Sequence, residues 1–430
     1  MAEQNKLEKV VSLAKRRGFI FPGSEIYGVI GGFYDFGPLG IELKFNIKQA
    51  WWKDMVQMRR NVVGLNAAII MNPEVWKASG HVSGFSDPMV ECKKCHQRFR
   101  ADQIGDKCPN CGAKDFSDVR QFNLMFKTNA GPVEDTASVA YLRPETAGGI
   151  FVNFKNVLDT MRVRVPFGIA QIGKAFRNEV NPKDYIFRTR EFEQMELEYF
   201  VKPGDDDKEY ELWVDERFNW YGKIGLRNIR KFVQPKEELA HYSKGTTDIE
   251  YEFPFGWKEI EGIANRTDFD LKAHAAASGQ ELAYLDPDTN EKYVPYVIEP
   301  SAGVDRIALA LLCDAYHENE DEERVVLKLH PRLAPYKAAV FPLLKNKPEL
   351  VAKADTVYVE LKKHFNVAWD ERGNIGKRYF SQDEIGTPYC ITVDFDTLQD
   401  DTVTVRDRDS MKQERMSISE LRAYIENSLQ

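Results

Sequence analysis

The stretch FRNEVNPKDYIFRTREFEQME, residues 176–196, decides how this chain is interpreted. It holds three arginines and four glutamates, interleaved with aromatic residues around a short polar segment. The alternation of polar and apolar residues predicts two antiparallel strands, 176–179 and 192–200, with the polar segment as the loop between them.

The side chains of these two strands predict a nucleotide site. Since side chains alternate along a strand, Arg177 and Glu179 should share one face of the first strand, and Phe192, Gln194 and Glu196 one face of the second. Facing each other, they would offer Arg177 to a phosphate, Phe192 to a stacked base and Glu179 to an exocyclic amine. Glu196 would be left to hold an ammonium group. The residues also fit a surface hairpin with cross-strand ion pairs.

A second cluster, IEPSAGVDR, favours the ligand-binding alternative. Glu299 and Ser301 end a predicted strand, and Arg306 lies in the first turn of the helix that follows. A cation gains nothing from the helix dipole there, because that end of a helix favours anions. The placement of Arg306 is explained if an anionic ligand sits between it and the helix start.

Four of the six cysteines form two C-x-x-C pairs, ECKKCHQ and KCPNCGA. The pairs are Cys92 with Cys95 and Cys108 with Cys111, and their spacing predicts a tetrahedral, four-thiolate zinc site without an open position for water. Such a closed site is structural. The alternative for these four cysteines is free thiols or a redox pair. The remaining two cysteines, Cys313 and Cys390, are expected in the hydrophobic core.

Composition and charge place limits on the class of protein. The chain has 430 residues, 43% hydrophobic and 29% charged, with a formal net charge of −8, which weakens non-specific nucleic-acid binding without excluding a specific site. The N-terminus lacks the apolar core of a signal peptide, and no run approaches the ~20 apolar residues that span a bilayer. Few and clustered cysteines fit a reducing compartment, so we predict a cytoplasmic protein with no membrane partner.

Periodicity predicts an α+β protein of two domains. Helices are expected at 5–17, 41–63, 214–232 and 303–318, a buried strand at 65–73, and an acidic surface loop at 317–324. The last hundred residues alternate strands and helices, which predicts a small α/β domain. We therefore place one domain at 1–330, carrying a cysteine insert at 88–116, and a second at 331–430.

The motifs together resemble those of class II aminoacyl-tRNA synthetases. GKAFRNE with REFEQME is similar to their motif 2, GVDRIALALL to motif 3, and the long helix and strand ending at Pro73 to motif 1, the dimer element. GGFYDFGPLG, YLRPETAGGIF, GIANRTDFDL and EPSAGVDR resemble the homodimeric glycyl-tRNA synthetases over nearly the whole chain. The resemblance implies an antiparallel catalytic sheet with helices, a zinc-ribbon-like insert and a C-terminal anticodon-binding domain.

The resemblance also implies a reaction. Glycine would attack the α-phosphate of ATP to give glycyl-adenylate and pyrophosphate, and the 3′ end of tRNA(Gly) would then take the glycyl group. Arg177 would stabilise the α-phosphate and Arg306 the γ-phosphate, which makes these two the catalytic residues. Mg²⁺ would accompany ATP, with Glu259 and Glu299 as its protein ligands, and Zn²⁺ would occupy the cysteines.

The resemblance implies two sets of binding residues. The ATP set is Arg177, Asn178, Glu179, Phe187, Arg188, Thr189, Arg190, Glu191, Phe192, Glu259, Ile260, Gly303, Val304, Asp305 and Arg306. The glycine set is Arg100, Glu145, Phe192, Glu193, Gln194, Met195, Glu196, Glu299, Pro300, Ser301, Ala302 and Gly303. Glu145 also fits a carboxylate at a helix start, and Arg188 and Arg190 fit a solvated loop or contacts to the tRNA acceptor end.

Two other functions stay open at this point. One is a sibling synthetase for serine, proline or threonine, whose pocket would need more room. The other is a synthetase-like accessory or regulatory protein without activity, which would be expected to lack the ATP arginines; Arg177, Glu179 and Arg306 are all present. Expected partners are ATP, glycine, the acceptor end and anticodon of tRNA(Gly), and a second copy in a homodimer.

Overall fold

The computed structural model describes residues 2–135, 138–240, 242–319 and 324–429. The α-helices are α1 Ala2–Arg16, α2 Pro38–Trp52, α3 Pro73–Ala78, α4 His81–Gly84, α5 Ala147–Met161, α6 Asp206–Lys223, α7 Phe269–Ser278, α8 Val304–Ala315, α9 Pro348–Lys362, α10 Ile375–Asp383, α11 Thr397–Asp400 and α12 Leu421–Ser428. No helix among the described residues is long and apolar enough to cross a membrane.

Short and long strands alternate with these helices. The strands of the first half are β1 Ile20–Pro22, β2 Tyr34–Phe36, β3 Val62–Gly64, β4 Ser86–Glu91, β5 Arg98–Arg100, β6 Arg120–Asn123, β7 Lys127–Asn129, β8 Val139–Tyr141, β9 Phe167–Phe176 and β10 Glu191–Val201. Those of the second half are β11 Ile229–Val233, β12 Gly245–Phe253, β13 Gly256–Thr267, β14 Tyr284–Leu285, β15 Lys292–Tyr293, β16 Tyr296–Gly303, β17 Tyr316–Asn319, β18 Arg324–Leu327, β19 Ala338–Pro342, β20 Val367–Trp369, β21 Tyr389–Val393, β22 Thr402–Asp407 and β23 Gln413–Ser417.

A seven-stranded sheet forms the centre of the molecule, in the order β11-β12-β13-β16-β10-β9-β3. Its pairings are antiparallel except that of β3 with β9, which is parallel. The apolar side chains of α2 and α8 pack on one face, and those of α5 and α7 belong to a second apolar cluster with β9 and β10. The predicted antiparallel catalytic sheet with packed helices is therefore confirmed.

A second sheet lies in the C-terminal part, in the order β20-β19-β21-β22-β23. β19 pairs in parallel with β20 and β21, and α9 and α12 bury Leu361 and Ile425 against it. This confirms the predicted α/β fold of the last hundred residues. The domain limits of 1–330 and 331–430 stay a prediction.

A buried ion cluster joins this second sheet to β18. Asp383, at the end of α10, accepts hydrogen bonds from Arg324 of β18 at 2.8 Å and from Arg406 of β22 at 2.9 and 3.1 Å. Arg324 also donates to the carbonyl oxygen of Arg408 at 2.5 Å. All three charged side chains are buried, and we call this set the Asp383 cluster.

Several predicted elements have different limits. The helix predicted at 41–63 ends earlier, because α2 passes into a short π-helical segment, Lys53–Gln57, and Val62 already belongs to β3. The strand predicted at 65–73 is wrong: apart from one isolated bridge at Ile70 it carries no strand pairing, and Ile69 and Ile70 are exposed. Apolar content alone predicted it, without the alternation that a half-buried strand shows.

Three further corrections concern the ends of elements. The helix predicted at 214–232 begins at Asp206 and ends at Lys223, and its last residues form β11. The acidic loop predicted at 317–324 includes β17 and the first residue of β18, while 320–323 fall outside the described residues. The first strand of the opening stretch stops at Phe176, so Arg177 and Glu179 follow the strand instead of alternating along it.

Candidate active site

A cavity at the ends of β9, β10 and β16 collects most of the predicted ATP residues. Its lining is Arg177, Glu179, Ile186, Phe187, Arg188, Thr189, Phe192, Glu193, Gln194, Glu259, Ser301, Gly303, Asp305 and Arg306. Of these only Ile186 was not predicted. We call this space the cationic cavity.

Two arginines from distant parts of the sequence border this cavity. The Arg177 guanidinium lies 5.4 Å from the Phe192 ring centroid and 5.5 Å from that of Phe85, and its Nε donates to the carbonyl oxygen of Pro144. The Arg306 guanidinium lies 4.5 Å from the Phe187 ring centroid and 3.2 Å from the Glu259 carboxylate. The strand and helix start that the sequence predicted therefore do converge on one space.

Next to the cavity, a carboxylate is held by three neutral side chains. Glu196 accepts hydrogen bonds from Ser301 at 2.6 Å, from Gln194 at 2.7 Å and from Thr146. The strand register makes this contact possible, since Glu196 lies directly opposite Ser301 on β16. Burial raises the pKa of Glu196, and the neighbouring Glu145 raises it further.

Behind Glu196, one arginine joins two acids. Arg266 donates to both oxygens of Glu299 at 2.9 Å and to both oxygens of Asp270 at 2.8 and 2.9 Å, and all three are buried. Burial raises the pKa of Glu299 to about 8, with Glu196 and Glu145 adding to the rise while Arg266 opposes it.

Two more glutamates complete the group. Glu145 lies 3.4 Å from His81; burial by itself would raise the pKa of Glu145, but His81, Arg266 and Arg177 outweigh it and lower the pKa to about 2. Glu198 is fully buried, and neither carboxylate oxygen has a hydrogen-bond partner. The register places Glu198 across from Glu299. Burial raises the pKa of Glu198, and the neighbouring Glu299 carboxyl raises it further. We call Glu145, Glu196, Glu198 and Glu299 the acidic cup.

Other predicted residues serve the scaffold. Glu193 and Asp305 line the cavity, but both pair with Lys44 of α2 at 2.7 Å, and Glu193 also pairs with Lys48. The predicted residues whose side chains lie in the core instead of the cavity are Met195, Ile260, Pro300, Ala302 and Val304. Along the strands these residues alternate with residues that face the cavity, and Val304 lies at the start of α8. The prediction had therefore included residues from both faces of the sheet.

Four further predicted residues lie outside the cavity. Arg100 of β5 pairs with Asp87 at 2.8 Å and with Asp102 at 2.7 Å. Glu191 pairs with Lys174 at the edge of the sheet. Asn178 and Arg190 line an adjacent groove beside the cysteine insert.

The sequence analysis missed Arg266, Asp270 and Glu198. Arg266 and Asp270 lie within NRTDFD, an opposite-charge pair four residues apart, which is the spacing that brings two side chains together at a helix start. Glu198 repeats the two-residue period of Gln194 and Glu196 on β10, and that period could have identified it.

The structure does not bring together the two glutamates predicted to share Mg²⁺. Glu259 borders the cationic cavity and lies beside Arg306, whereas both oxygens of Glu299 are bound by Arg266 and Glu299 does not line that cavity. Only Glu259 offers a carboxylate where phosphate oxygens would lie.

The four cysteines of the insert lie close enough together to hold a metal ion. Their sulfur atoms lie within 4.8 Å of one another, with Cys92 and Cys111 at 3.6 Å and Cys95 and Cys108 at 3.6 Å. Sulfurs bound at about 2.3 Å to a tetrahedral zinc would be about 3.8 Å apart, so the residues fit this ion. Cys313 and Cys390 are buried, as predicted.

Comparisons with known proteins give a consistent result. Residues 126–316 match a family model described as the tRNA synthetase class II core domain (G, H, P, S and T), and residues 337–428 match an anticodon binding domain. The chain is 56% identical to a glycine--tRNA ligase of Alkaliphilus oremlandii and 55% identical to one of Clostridium perfringens, each aligned over the full length of both chains. It is also 55% identical to a glycine--tRNA ligase of Geobacillus kaustophilus, over 98% of this chain and 99% of that one.

Proposed function

Because the chain belongs to the glycine--tRNA ligase family of class II aminoacyl-tRNA synthetases, we propose that it activates glycine with ATP and transfers the glycyl group to tRNA(Gly). The observation that supports this most strongly is the adjacency of the two sites. Gln194 and Ser301 line the cationic cavity and also hydrogen-bond to Glu196 of the acidic cup. A triphosphate and an ammonium group can therefore be bound side by side.

The first step joins these two ligands. A carboxylate oxygen of glycine attacks the α-phosphorus of ATP, the bond from that phosphorus to the bridging oxygen breaks, and pyrophosphate leaves. Arg177 stabilises the charge on the α-phosphate and Arg306 holds the outer phosphates, because fixed cations at developing negative charge lower the barrier without reorganisation. Phe192 stacks on adenine, and Glu179, oriented by its 2.7 Å hydrogen bond from Arg188, accepts from the exocyclic amine.

The cup explains the choice of the smallest amino acid. Several carboxyls close together are costly unless a cation is present, and glycine offers no side chain for the enzyme to bind. Glu145, Glu196 and Glu299 hold the ammonium, and Ser301 closes the space at the α-carbon. In the second step a ribose hydroxyl at the tRNA 3′ end attacks the glycyl carbonyl carbon, and AMP leaves.

The remaining parts of the proposal follow from the donor sets and the family. Mg²⁺ beside Glu259 would neutralise phosphate charge, and Zn²⁺ on the four thiolates would hold the insert together. Arg100, Asn178, Arg190 and Glu191 do not line the cationic cavity, so they are not among the residues that we propose to contact ATP or glycine. A cytoplasmic location, a homodimer built on α2 and anticodon binding by the C-terminal sheet complete the proposal.

The decisive experiment is ATP–pyrophosphate exchange with each amino acid. We expect exchange with glycine and none above background with serine, proline or threonine. Arg177→Ala and Arg306→Ala should each lower exchange at least about 100-fold, the usual cost of losing a donor to developing charge. Arg164→Ala, which removes an exposed arginine paired with Asp288, is the matched control. Exchange with serine or proline but not glycine would refute the proposed substrate, and normal exchange by Arg177→Ala would refute its role.

A further inference from the structure

His81 lies beside the acidic cup, in a short segment that precedes the cysteine insert. Residues 79–85, SGHVSGF, join α3 to β4 through α4, and we call them the histidine turn. Gly80 has a φ of 82°, a left-handed conformation that glycine adopts without strain. The chain reverses there, and Oγ of Ser79 comes within 2.8 Å of Nδ1 of His81, two positions further on.

The imidazole of His81 is held between two aromatic rings. The Trp76 ring meets it edge to face with the ring centroids 5.6 Å apart, and the Phe85 ring does the same at 5.4 Å. Trp76 is fully buried, and the His81 side chain is 14% exposed. Because edge-to-face contacts favour one orientation of a ring, the two nitrogens of His81 point in fixed directions.

The two ring nitrogens of His81 contact two different elements. Nδ1 lies 2.8 Å from the hydroxyl oxygen of Ser79, and Nε2 lies 3.4 Å from the carboxylate of Glu145. Because a carboxylate only accepts, Nε2 carries a hydrogen in the neutral and in the charged imidazole alike. In the neutral ring the Ser79 hydroxyl donates to Nδ1, and in the charged ring Nδ1 donates to the Ser79 oxygen. Ser79 thereby fixes which nitrogen faces Glu145.

Glu145 is the member of the acidic cup that a ligand reaches most easily. It is partly exposed, whereas the other three glutamates of the cup are buried. Within the part of the chain that the structure describes, His81 is the one side chain that pairs with the Glu145 carboxylate. Burial by itself would raise the pKa of Glu145, and His81 is the strongest of the groups that lower it to about 2. The direction in which Glu145 presents its charge is therefore set by His81.

The histidine turn is anchored by contacts that do not involve the imidazole. The side-chain amide of Asn123, the last residue of β6, donates to the carbonyl oxygens of His81 and Val82 at 3.1 and 3.0 Å. The Leu124 backbone N–H donates to the carbonyl oxygen of Phe85 at 2.9 Å. Removing the nitrogens of His81 leaves all of these anchors in place.

We propose that His81 is a positioning residue for the glycine subsite, in which its Nε2–H orients the Glu145 carboxylate toward the ammonium group and Ser79 holds the imidazole. The inference rests on the proposed function, because it is glycine that brings the ammonium group. The Phe85 ring lies 5.5 Å from the Arg177 guanidinium. Displacement of the whole turn would therefore disturb the ATP subsite as well, whereas loss of the imidazole nitrogens affects Glu145 alone.

The test measures KM for glycine, KM for ATP and kcat of exchange with the full-length protein. His81→Phe keeps a ring between Trp76 and Phe85 but removes both nitrogens, so KM for glycine should rise at least about tenfold, as for a lost hydrogen bond to a charged group. KM for ATP should keep its wild-type value, and kcat should change little, because the ammonium group is held equally before and during the reaction. His81→Gln, whose amide restores an N–H donor, should recover most of the affinity for glycine.

Val82→Ala is the matched control, because Val82 belongs to the same turn and packs on the apolar cluster of Trp76. It should lower the free energy of unfolding without changing either KM. Ser79→Ala should raise KM for glycine about threefold, as for one neutral hydrogen bond, and it decides the question if His81→Phe does not fold.

An unchanged KM for glycine in His81→Phe would overturn the proposal, as would a parallel rise of both KM values or no recovery in His81→Gln. If the wild type exchanges with another amino acid and not with glycine, the proposed function is refuted. The same comparison of KM values with that amino acid then still decides the role of His81, because every amino acid brings an ammonium group or its secondary equivalent.

Discussion

The acidic cup and the Asp383 cluster both bury charged side chains, but they differ in how those charges are satisfied. In the Asp383 cluster both carboxylate oxygens of Asp383 accept from arginines, and Arg324 uses a further donor on a backbone carbonyl. In the cup, Arg266 binds only Glu299 and shares itself with Asp270, Glu196 is held by neutral side chains, and neither oxygen of Glu198 has a hydrogen-bond partner. Full pairing is what a purely structural ion cluster requires.

This difference in how the buried charges are paired indicates which of the two clusters binds a ligand. Buried polar atoms without a hydrogen-bond partner are rare in native proteins. Among the described residues, both oxygens of Glu198 in the cup and Oε1 of the neighbouring Gln194 are such atoms. We therefore interpret the cup as a site completed by a cation and the Asp383 cluster as part of the scaffold.

The largest effect is expected from Arg266→Met. The change leaves Glu299 and Asp270 buried without their counter-charge, so the free energy of unfolding should fall by about 3–5 kcal/mol, and exchange with glycine should be lost. Arg217→Met is the matched control, because Arg217 is a fully buried partner of Glu261 outside the cup. Under conditions where both variants are folded, only Arg266→Met should lack exchange; equal loss in both would contradict a specific role of the acidic cup in exchange.

The next effect is expected from Asp383→Asn. Arg324 and Arg406 then face each other without an anion, and the free energy of unfolding of the C-terminal part should fall by about 3 kcal/mol. Exchange, which depends on the cationic cavity and the cup, should remain near the wild-type rate while transfer to tRNA declines. Exchange and transfer are measured on the same variant to test this expectation. A loss of exchange as large as the loss of transfer would contradict a purely structural role of the Asp383 cluster.

A smaller effect is expected from pH. A bound ammonium favours the ionised carboxyl, so glycine binding at pH 7 should release a proton from Glu299, whose pKa is about 8. Affinity for glycine should rise with pH, by at most about tenfold per unit for each proton released, and level off above about pH 8. Calorimetric titration in buffers of different ionisation enthalpy counts the protons released; no release at all would contradict the raised pKa of Glu299.

The same shifts set the pH dependence of folding. A carboxyl with a raised pKa binds its proton more tightly in the folded state, so its contribution to stability is complete below the unfolded pKa and is lost as pH rises through about 8 for Glu299. Glu145 behaves oppositely, since its pKa is lowered to about 2 and its contribution is lost as pH falls toward that value. The free energy of unfolding of the unliganded protein should therefore increase as pH falls from 8 to 5. Bound glycine should make this increase smaller.

The smallest effect on exchange is expected from removing metal from the cysteine insert. A strong chelator should expose Cys92, Cys95, Cys108 and Cys111 to a thiol reagent while Cys313 and Cys390, both buried in apolar clusters, stay protected. Exchange should change less than twofold, because no insert residue lines the cationic cavity. Reactivity of all six thiols before chelation would contradict a metal site.

The sequence predicted the parts of the site that depend on local pattern. Strand alternation located Phe192, Gln194 and Glu196, and the helix start located Arg306, because each needs only neighbouring residues to define its direction. Family resemblance supplied Glu145 and Glu259. The ion pairs of Lys44 with Glu193 and Asp305 could not be predicted. Lys44 lies on α2, far from both acids in the sequence, and only the packed structure brings them together.

The local sequence pattern was least informative where the secondary structure depends on pairing with strands that are distant in the sequence. Val62 continues an apolar stripe but forms a strand beside β9, and the run at 65–73 is apolar but has no sheet to join. The partner of Arg266 across the sheet is set by the bulged register between β13 and β16, which no local signal specifies. Burial without a partner, as at Glu198, likewise emerges only from three-dimensional packing.

The ion pair between Lys44 and Asp305 spans 261 positions of the chain. During synthesis α2 leaves the ribosome long before α8 exists, so the apolar face that α2 will bury has no partner for most of translation. Contacts of such large sequence separation fold slowly and leave apolar surface open to aggregation in the meantime. The packing of α2 against α8 can therefore be completed only after α8 has emerged from the ribosome, late in synthesis.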